Sequence, residues 1–254
     1  MSDNPKLQTF SGLPFSTDNY AARLAVGGED LTRAQRLRFA VFNEELKEGL
    51  PESWKTGRDE DRFDAVCDHL LVEDVGTGEI VGTYRMLTGE RAAEKGTGYY
   101  SAQEFDFAPF EPHRAKILEL GRACVASAHR NQTVLGLLWR GISIYARAKK
   151  SRYLIGCSSL TTQDPAVGSS AYVQLAGRHL APERFRTKPL PGYAFPIEPG
   201  PELARIPRLM AAYIAVGARI CGEPALDREF KTIDFLTLID LGSLPGAVAR
   251  KYLS

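Results

Sequence analysis

Ile117-Leu118-Glu119-Leu120-Gly121-Arg122-Ala123-Cys124-Val125, then a short polar stretch, then the span Thr133 to Lys150 and the apolar Tyr153 to Ser158 together decide the fold class. The first run, counted from Lys116 to Ala126, reads as a long strand. The second repeats apolar residues at Val134, Leu137, Leu138, Gly141, Tyr145 and Ala148, which is helical spacing, and the third reads as another strand that follows at once. Upstream, His69 to Val75 and Glu79 to Leu87 read as two strands joined by Gly76-Thr77-Gly78, a turn suited to an antiparallel hairpin. Before them, Thr32 is placed to cap a helix from Arg33 to Leu46. Its stripe Ala34, Leu37 and Val41, widened by Phe39 and Phe42, faces a core, and Arg36 and Arg38 are expected to point elsewhere. Downstream come a helix over Glu202 to Ile220 and a strand over Thr232 to Asp240. An antiparallel start followed by a strand-helix-strand crossover excludes an all-parallel doubly wound sheet. It gives an α/β chain with a mixed (α+β) sheet.

With 254 residues and 44% apolar content, the chain can bury a large core as one mixed domain or two small ones. The Pro/Gly-rich stretch Pro189 to Pro201 is the one internal segment that reads as a linker. The longest apolar run, Leu209 to Ala218, is about half of the roughly 20 residues a bilayer crossing needs, and the polar start Met1 to Thr9 carries no signal-peptide stretch. A cytoplasmic location is therefore expected. Cys67, Cys124, Cys157 and Cys221 are widely spaced and form no CxxC pair, so they read as buried thiols rather than a zinc site or a disulfide framework. The net charge of +1, from 32 basic and 31 acidic residues, predicts no affinity for nucleic acid. A charged partner must be met by a local patch.

Two segments carry charge where chemistry would need it. Arg58 to Asp64 packs four carboxylates and two arginines into seven positions. An EF-hand calcium loop fails there, because Phe63 and Leu70 stand where oxygen ligands are required. The segment is either a solvated loop or a seat for a cationic small molecule at Asp59, Asp61 or Asp64. In the Ile117 to Val125 strand, Glu119 and Arg122 interrupt an apolar sequence, and desolvating an unpaired charge costs several kcal/mol. Alternation puts them on opposite faces unless a bulge intervenes at Gly121, and a bulge would free backbone N–H groups near Arg122 and Ala123 for a thioester carbonyl. The alternative is a structural ion pair with Arg85 or another strand residue. Glu119 is the first choice for a base or amine-positioning group and Asp61 the second. On the Thr133 to Lys150 helix, Arg140, Ser143, Arg147 and Lys150 form a basic row, extended by Lys149 and Arg152, that is either a soluble face or a dock for an acidic carrier. No GxSxG elbow is present, and His69, His113, His129 and His179 have no metal-ligand spacing.

Several motifs then line up: Arg36 to Phe42, Asp59 to Asp64 followed by Cys67-Asp68-His69-Leu70, Val81-Gly82-Thr83-Tyr84-Arg85, Glu119-Leu120-Gly121-Arg122 and Leu138-Trp139-Arg140-Gly141. Ile155 to Leu160, Asp227-Arg228-Glu229-Phe230 and Thr232 to Phe235 complete the series. In this order, from Tyr20 to Leu241, they resemble the bacterial N-acyl amino acid synthases of the GNAT superfamily, above all the L-ornithine N-alpha-acyltransferase (lyso-ornithine lipid synthase) group. The N-terminal half also resembles acyl-homoserine-lactone synthases.

The resemblance implies a GNAT-like acyltransferase fold with a C-terminal extension. It implies a tail over 1–19 and one domain over 20–254, in which 20–160 holds the donor site and 161–254 completes the sheet and acceptor pocket. It further implies transfer of a long-chain, 3-hydroxylated acyl group from an acyl carrier protein, as its phosphopantetheine thioester, to an amino acid. Ornithine is favoured, while lysine, glutamine, glycine and tyrosine stay open. No cofactor and no metal are expected, and release of a lipid product adds a peripheral contact with the inner membrane. Ordinary acetyltransferases cradle coenzyme A on a glycine-containing loop, whereas Arg130 to Leu135 has no glycine, which favours the carrier's single phosphate. The expected catalytic set is Glu119, Asp61 and Arg122. Arg38, Asp59, Asp64, Arg85, Ala123 and Ser158 are expected to bind substrate, and Arg130, Arg140, Arg147 and Lys150 to dock the carrier. Two rivals are a lactone synthase, which would need S-adenosylmethionine, and a non-enzymatic acyl-carrier or membrane-surface binder.

Overall fold

A computed structural model describes residues 12–244 and 246 of the chain; most of the 1–19 tail, including the Met1 to Thr9 start, lies outside the described residues. In chain order the elements are β1 (Phe15–Ser16), β2 (Tyr20–Leu24), α1 (Gly27–Phe39) with a π-helical continuation over Ala40–Glu45, α2 (Ser53–Thr56), β3 (Asp68–Asp74), β4 (Ile80–Thr88) and α3 (Gly89–Glu94). Then follow β5 (Ile117–Val125), α4 (Gln132–Ala148), β6 (Tyr153–Leu160), α5 (Pro165–His179), α6 (Arg208–Ala215), β7 (Arg219–Ile220), β8 (Ala225–Asp227) and β9 (Thr232–Asp240).

All nine strands join one sheet in the order β1-β2-β3-β4-β5-β6-β9-β7, with β8 also paired to β9. Among the described strands only the β5–β6 pair is parallel, and α4 makes the crossover between them. The expected mixed sheet is thus present, and its last strand, Thr232 to Asp240, agrees end to end with the sequence reading. One face packs α4 through Val134, Leu137, Leu138, Ile142 and Tyr145 onto Leu70, Met86, Leu118 and Leu154. The other face carries a ring-rich core of Phe63, Phe105, Phe107, Phe110 and Phe185 on Ile117, Ile155, Leu236 and Leu238.

Four local readings change. The first helix starts at Gly27, not Arg33, because the Asp30 carboxylate accepts the Val26 N–H at 2.8 Å and, with Glu29, sets negative charge at the positive helix end. Thr32, the expected cap, instead bonds back to the Gly28 carbonyl at 2.9 Å. Arg38 does not point to solvent; it is 0% exposed. The expected Glu202 to Ile220 helix shrinks to α6 behind Pro207, while α5 was not foreseen although Asp164 caps it by accepting the Ala166 N–H at 2.9 Å and Pro165 opens it. Finally, Pro189 to Pro201 is no linker. Leu190 donates to the Glu104 carbonyl at 2.7 Å, and Tyr193 accepts from Leu226 at 2.8 Å, so the segment is laced to the sheet.

Candidate active site

The sheet opens at its parallel pair. β5 and β6 pair only from Ile117/Tyr153 to Glu119/Ile155, whereas β6 stays paired with β9 as far as Leu160 and Ile233. Beyond Glu119, β5 follows β4 and β6 follows β9, so the facing edges have backbone groups with no strand partner on that side. One position past the last pair the two backbones still lie in close contact. A Cβ on Gly156 would meet the Leu120 carbonyl oxygen far inside van der Waals contact, so only glycine fits. On the other edge of β5, Thr83 faces Cys124 and Arg85 faces Gly121, which leaves Arg122 and Ala123 opposite Tyr84 alone. This is the bulge expected at Gly121, displaced by one residue: Arg122 carries the positive φ of 48°. The extra residue brings Glu119 and Arg122 to one face, where both lie near Tyr100.

The acidic element is not open to a cationic ligand. Arg38 bonds Asp59 through Nε at 2.8 Å and Asp64 through Nη1 and Nη2 at 2.9 and 2.6 Å. Arg85 reaches Asp61 at 2.6 Å and Asp64 at 3.1 Å, and Arg122 reaches Asp59 at 3.2 Å and Asp61 at 3.1 Å. Three guanidinium groups therefore neutralise three carboxylates in a closed network that ties α1 to β4 and to the bulge. Burial works to raise Asp61 and Asp64, yet the neighbouring arginines outweigh it and hold both below the ordinary carboxylate value. Asp61 is a clamp on the bulge rather than a base. Within the network, Nη2 of Arg85, a residue only 3% exposed, keeps no hydrogen-bond partner.

Glu119 also differs from expectation. Its carboxylate accepts the Tyr100 N–H at 2.7 Å, the Ser101 N–H at 2.8 Å and the Ser101 hydroxyl at 2.7 Å. Burial pushes its pKa up against those hydrogen bonds. With its oxygens taken by fixed donors, Glu119 anchors the 100–104 loop over the opening and is badly placed to accept a substrate proton. Arg85 does not pair with it, because Asp61 and Asp64 hold that guanidinium. Ser158 is 6% exposed, shares a hydrogen bond with Thr237 Oγ1 at 3.1 Å, and lies on the sheet face opposite Cys157. Ala123 stays at the opening, on the bulge.

The sequence reading missed a second acidic group. Glu104 and Asp234, 2% and 4% exposed, each bring an oxygen, and Cys157 its sulfur, within 4.8 Å of one another. Glu104 comes from the anchored loop, Asp234 from β9 and Cys157 from β6 just past the parting point. Burial, reinforced for Glu104 by the charges of Asp234 and Asp227, raises both carboxyls, Asp234 to about 6, and the two share a hydrogen bond. Desolvation and these carboxyls push the Cys157 thiol up, so it is a protonated bridge and not a nucleophile.

The expected carrier row is spread out. Arg130 precedes α4 and chelates Glu45 at 2.5 and 2.7 Å, Arg140 lies over the Phe15 ring at 4.5 Å, and Arg147 and Lys150 stand at the far end, about 24 Å away at 1.5 Å per residue. Another feature is an open cleft of about 480 Å³ beside the start of α4, lined by Arg33 and Arg36, by one carboxylate, Glu79, and by Val81, Ser127 and His129.

Residues 37–140 match the acetyltransferase (GNAT) domain family. Among solved structures, FeeM, an N-acyl amino acid synthase from uncultured soil microbes, shares the fold with a TM-score of 0.55 at 12% identity, over 89% of this chain and 93% of its own. The AHL synthase LasI gives 0.52 at 13% identity, over 93% and 95%. Sequence relatives extend over nearly the whole chain. The L-ornithine N(alpha)-acyltransferase of Rhizobium meliloti is 35% identical over 252 residues, 92% of this chain and 84% of the relative. That of Agrobacterium fabrum is 33% identical, over 91% and 84%, and that of Rhodobacter capsulatus 33%, over 87% and 90%. With a bulged β5, a parted β5–β6 pair and relatives of this identity and coverage, the chain belongs to the family of L-ornithine N(alpha)-acyltransferases.

Proposed function

We propose that the protein transfers a long, 3-hydroxylated acyl chain from a carrier-bound thioester to the α-amino group of ornithine, giving a lyso-lipid. The observation that carries this reading is the parting of β5 and β6 immediately beside the bulge. It provides a slot for an extended thioester with unpaired backbone groups along its length. The thioester carbonyl sits at the bulge, where the N–H groups of Arg122 and Ala123 stabilise the developing oxyanion, an effect worth about 3 to 4 kcal/mol per donor. The neutral amine attacks the carbonyl carbon, the C–N bond forms and the C–S bond breaks. The electron pair leaves on sulfur, which takes a proton from the new amide nitrogen and departs as the carrier thiol.

The ion-pair network holds Arg122, and hence the bulge, in register. The buried, unpartnered Nη2 of Arg85 is a donor left for the acceptor's carboxylate. The cleft of Arg33 and Arg36 suits the single phosphate of a phosphopantetheine arm, with Arg130 at the rim of the carrier dock. No helix of the described residues is long and apolar enough to cross a membrane.

The test is purified protein with a 3-hydroxyacyl carrier protein and ornithine, read by mass spectrometry of the N-acyl product. Glycine, lysine, glutamine and tyrosine serve as competing acceptors, and the matching acyl-coenzyme A as competing donor. Acylation of ornithine with carrier preferred supports the reading. Equal kcat/KM for the two donors overturns its carrier part, and a lactone formed only with S-adenosylmethionine overturns its acceptor part.

A further inference from the structure

With Asp61 and Glu119 both committed, the group that takes the amine's proton must be sought elsewhere along the opening. Cys157 is the second residue of β6 beyond the last β5–β6 pair and lies on the same face as Ile155. Its sulfur is 3.5 Å from the Ser101 hydroxyl, which bonds Glu119, and 3.9 Å from Glu104 Oε2. A polar path therefore runs from the bulged strand, across the gap, to Glu104 and Asp234.

The charge balance at the end of that path is incomplete. Arg122, the cation that acts on Glu104, is spent on Asp59 and Asp61, and Asp227 spends Oδ1 on the N–H groups of Glu229 and Phe230. Tyr193 and the buried Glu48 face the same region and bring no positive charge. The groups that act on the Asp234 carboxylate, 4% exposed, are the Ser159 and Thr232 hydroxyls and Glu104, none of them positive, and its Oδ1 meets no donor within hydrogen-bonding distance. A buried carboxylate oxygen that meets no donor of the chain at hydrogen-bonding distance, beside a second carboxyl and just past the end of the β5–β6 pairing, is one that a cationic donor from outside the chain would satisfy.

We propose that Glu104 and Asp234 form a one-proton carboxyl pair that receives the attacking ammonium group of the acceptor amino acid and takes a proton from it. This rests on the acyltransferase reading above. As the ammonium group enters, one N–H bond breaks and its proton moves to the pair, leaving the nitrogen lone pair free to form the C–N bond. The second N–H proton leaves with the carrier thiol, and the pair returns its proton to solvent as product departs. A carboxyl pair that already shares one proton carries a single net negative charge, which one ammonium group neutralises. Burial raises both carboxyls, Asp234 to about 6, toward the range of a base required at neutral pH.

The test uses Glu104→Gln and Asp234→Asn in the full chain. Two measurements are made: kcat/KM for ornithine from pH 6 to 9.5, and the rise in melting temperature caused by ornithine without donor. At pH 7 each variant should lose about 10²-fold in kcat/KM for ornithine, and the loss should shrink above pH 8 to 9, where the amine deprotonates unaided. The KM for the acyl carrier should hold, and the ornithine-induced rise in melting temperature should fall away. A purely structural role would give a loss equal at every pH and shared by both substrates, and that result overturns the proposal, as does a wild-type pH profile in either variant. Should a neutral variant fail to fold, Glu104→Asp and Asp234→Glu keep the charge, and the proposal then requires that they retain the acidic limb of the profile. If the wild-type chain binds ornithine through this pair but forms no N-acyl-ornithine, the acyltransferase reading fails and the seat stands; if it acylates ornithine and both neutral variants do so equally well, the seat fails alone.

Discussion

Neutralising Asp234 should make the protein more stable at alkaline pH while impairing it as an enzyme. The folded-state carboxyl stands at about 6 against an ordinary 3.8, chiefly through burial. Such a group contributes stability below the ordinary value, and that contribution is lost as pH rises through about 6; above it, the buried charge is a net cost. At about 1.4 kcal/mol per tenfold, the cost reaches about 3 kcal/mol once the group is ionised in both states, less whatever Glu104 absorbs by giving up the shared proton. Asp234→Asn keeps the shape, removes the charge and offers an amide donor to Glu104. Urea unfolding at pH 8 should therefore show the variant more stable by about 1 to 3 kcal/mol, or several degrees in melting temperature for a domain of this size. At pH 5 about half of that difference should remain, because the unfolded carboxyl is still ionised there, and it should approach zero only below about 3.8, where both states are protonated. A difference independent of pH between 5 and 8, or a variant less stable at pH 8, would refute the claim that this carboxylate is buried without compensation.

Other perturbations probe the rest of the site. Arg38→Met leaves Asp59 and Asp64 buried short of one partner and should cost about 3 to 5 kcal/mol in urea unfolding at pH 7.5; a loss below about 1 kcal/mol would mean the network relaxes around the gap. Gly156→Ala drives a methyl group into the Leu120 carbonyl, so the strands must shift: the melting temperature should fall, and kcat per folded molecule should fall as well if the parting of β5 and β6 is the reactive slot, whereas a wild-type kcat per folded molecule would refute that. Glu119→Gln should lower activity by loosening the Tyr100–Ser101 loop, with the shape of the pH profile unchanged; a shifted acidic limb would restore Glu119 as the base. Charge reversal at Arg33 and Arg36 should raise the carrier KM most at low salt, and more than reversal at Arg140, Arg147 and Lys150, because exposed charges are screened over about 8 Å at physiological ionic strength.

What the sequence made legible follows from how far apart the interacting residues are. The hairpin of β3 and β4, the long β5, α4 and β9 all announce themselves by local periodicity, and the bulge by a glycine next to a charge in an apolar strand. Helix α5 escaped because Gly168, Ser169 and Ser170 interrupt its apolar spacing, although Asp164-Pro165 is a start signal that local chemistry offered. Arg38 was assigned to the wrong face even though its spacing told otherwise: it stands four residues after Ala34 and three before Val41, on the apolar stripe itself. Its charge argues for solvent and its spacing for the core, and the spacing prevails because Asp59 and Asp64, more than twenty residues on, supply the counter-charges that let a guanidinium occupy a core position.

The same logic separates the two acidic groups. Asp59, Asp61 and Asp64 are adjacent in sequence and look like a site, yet each is matched by an arginine from α1, β4 or β5, and what they form is a neutral brace. Glu104 and Asp234 are 130 positions apart, and neither reads as functional alone. They meet only because β9 inserts beside β6 and because Glu119 pins the loop that carries Glu104. A brace needs its charges cancelled within the chain, whereas a seat for a cationic acceptor needs one left over. Of the two acidic groups, only the one assembled from distant segments retains it.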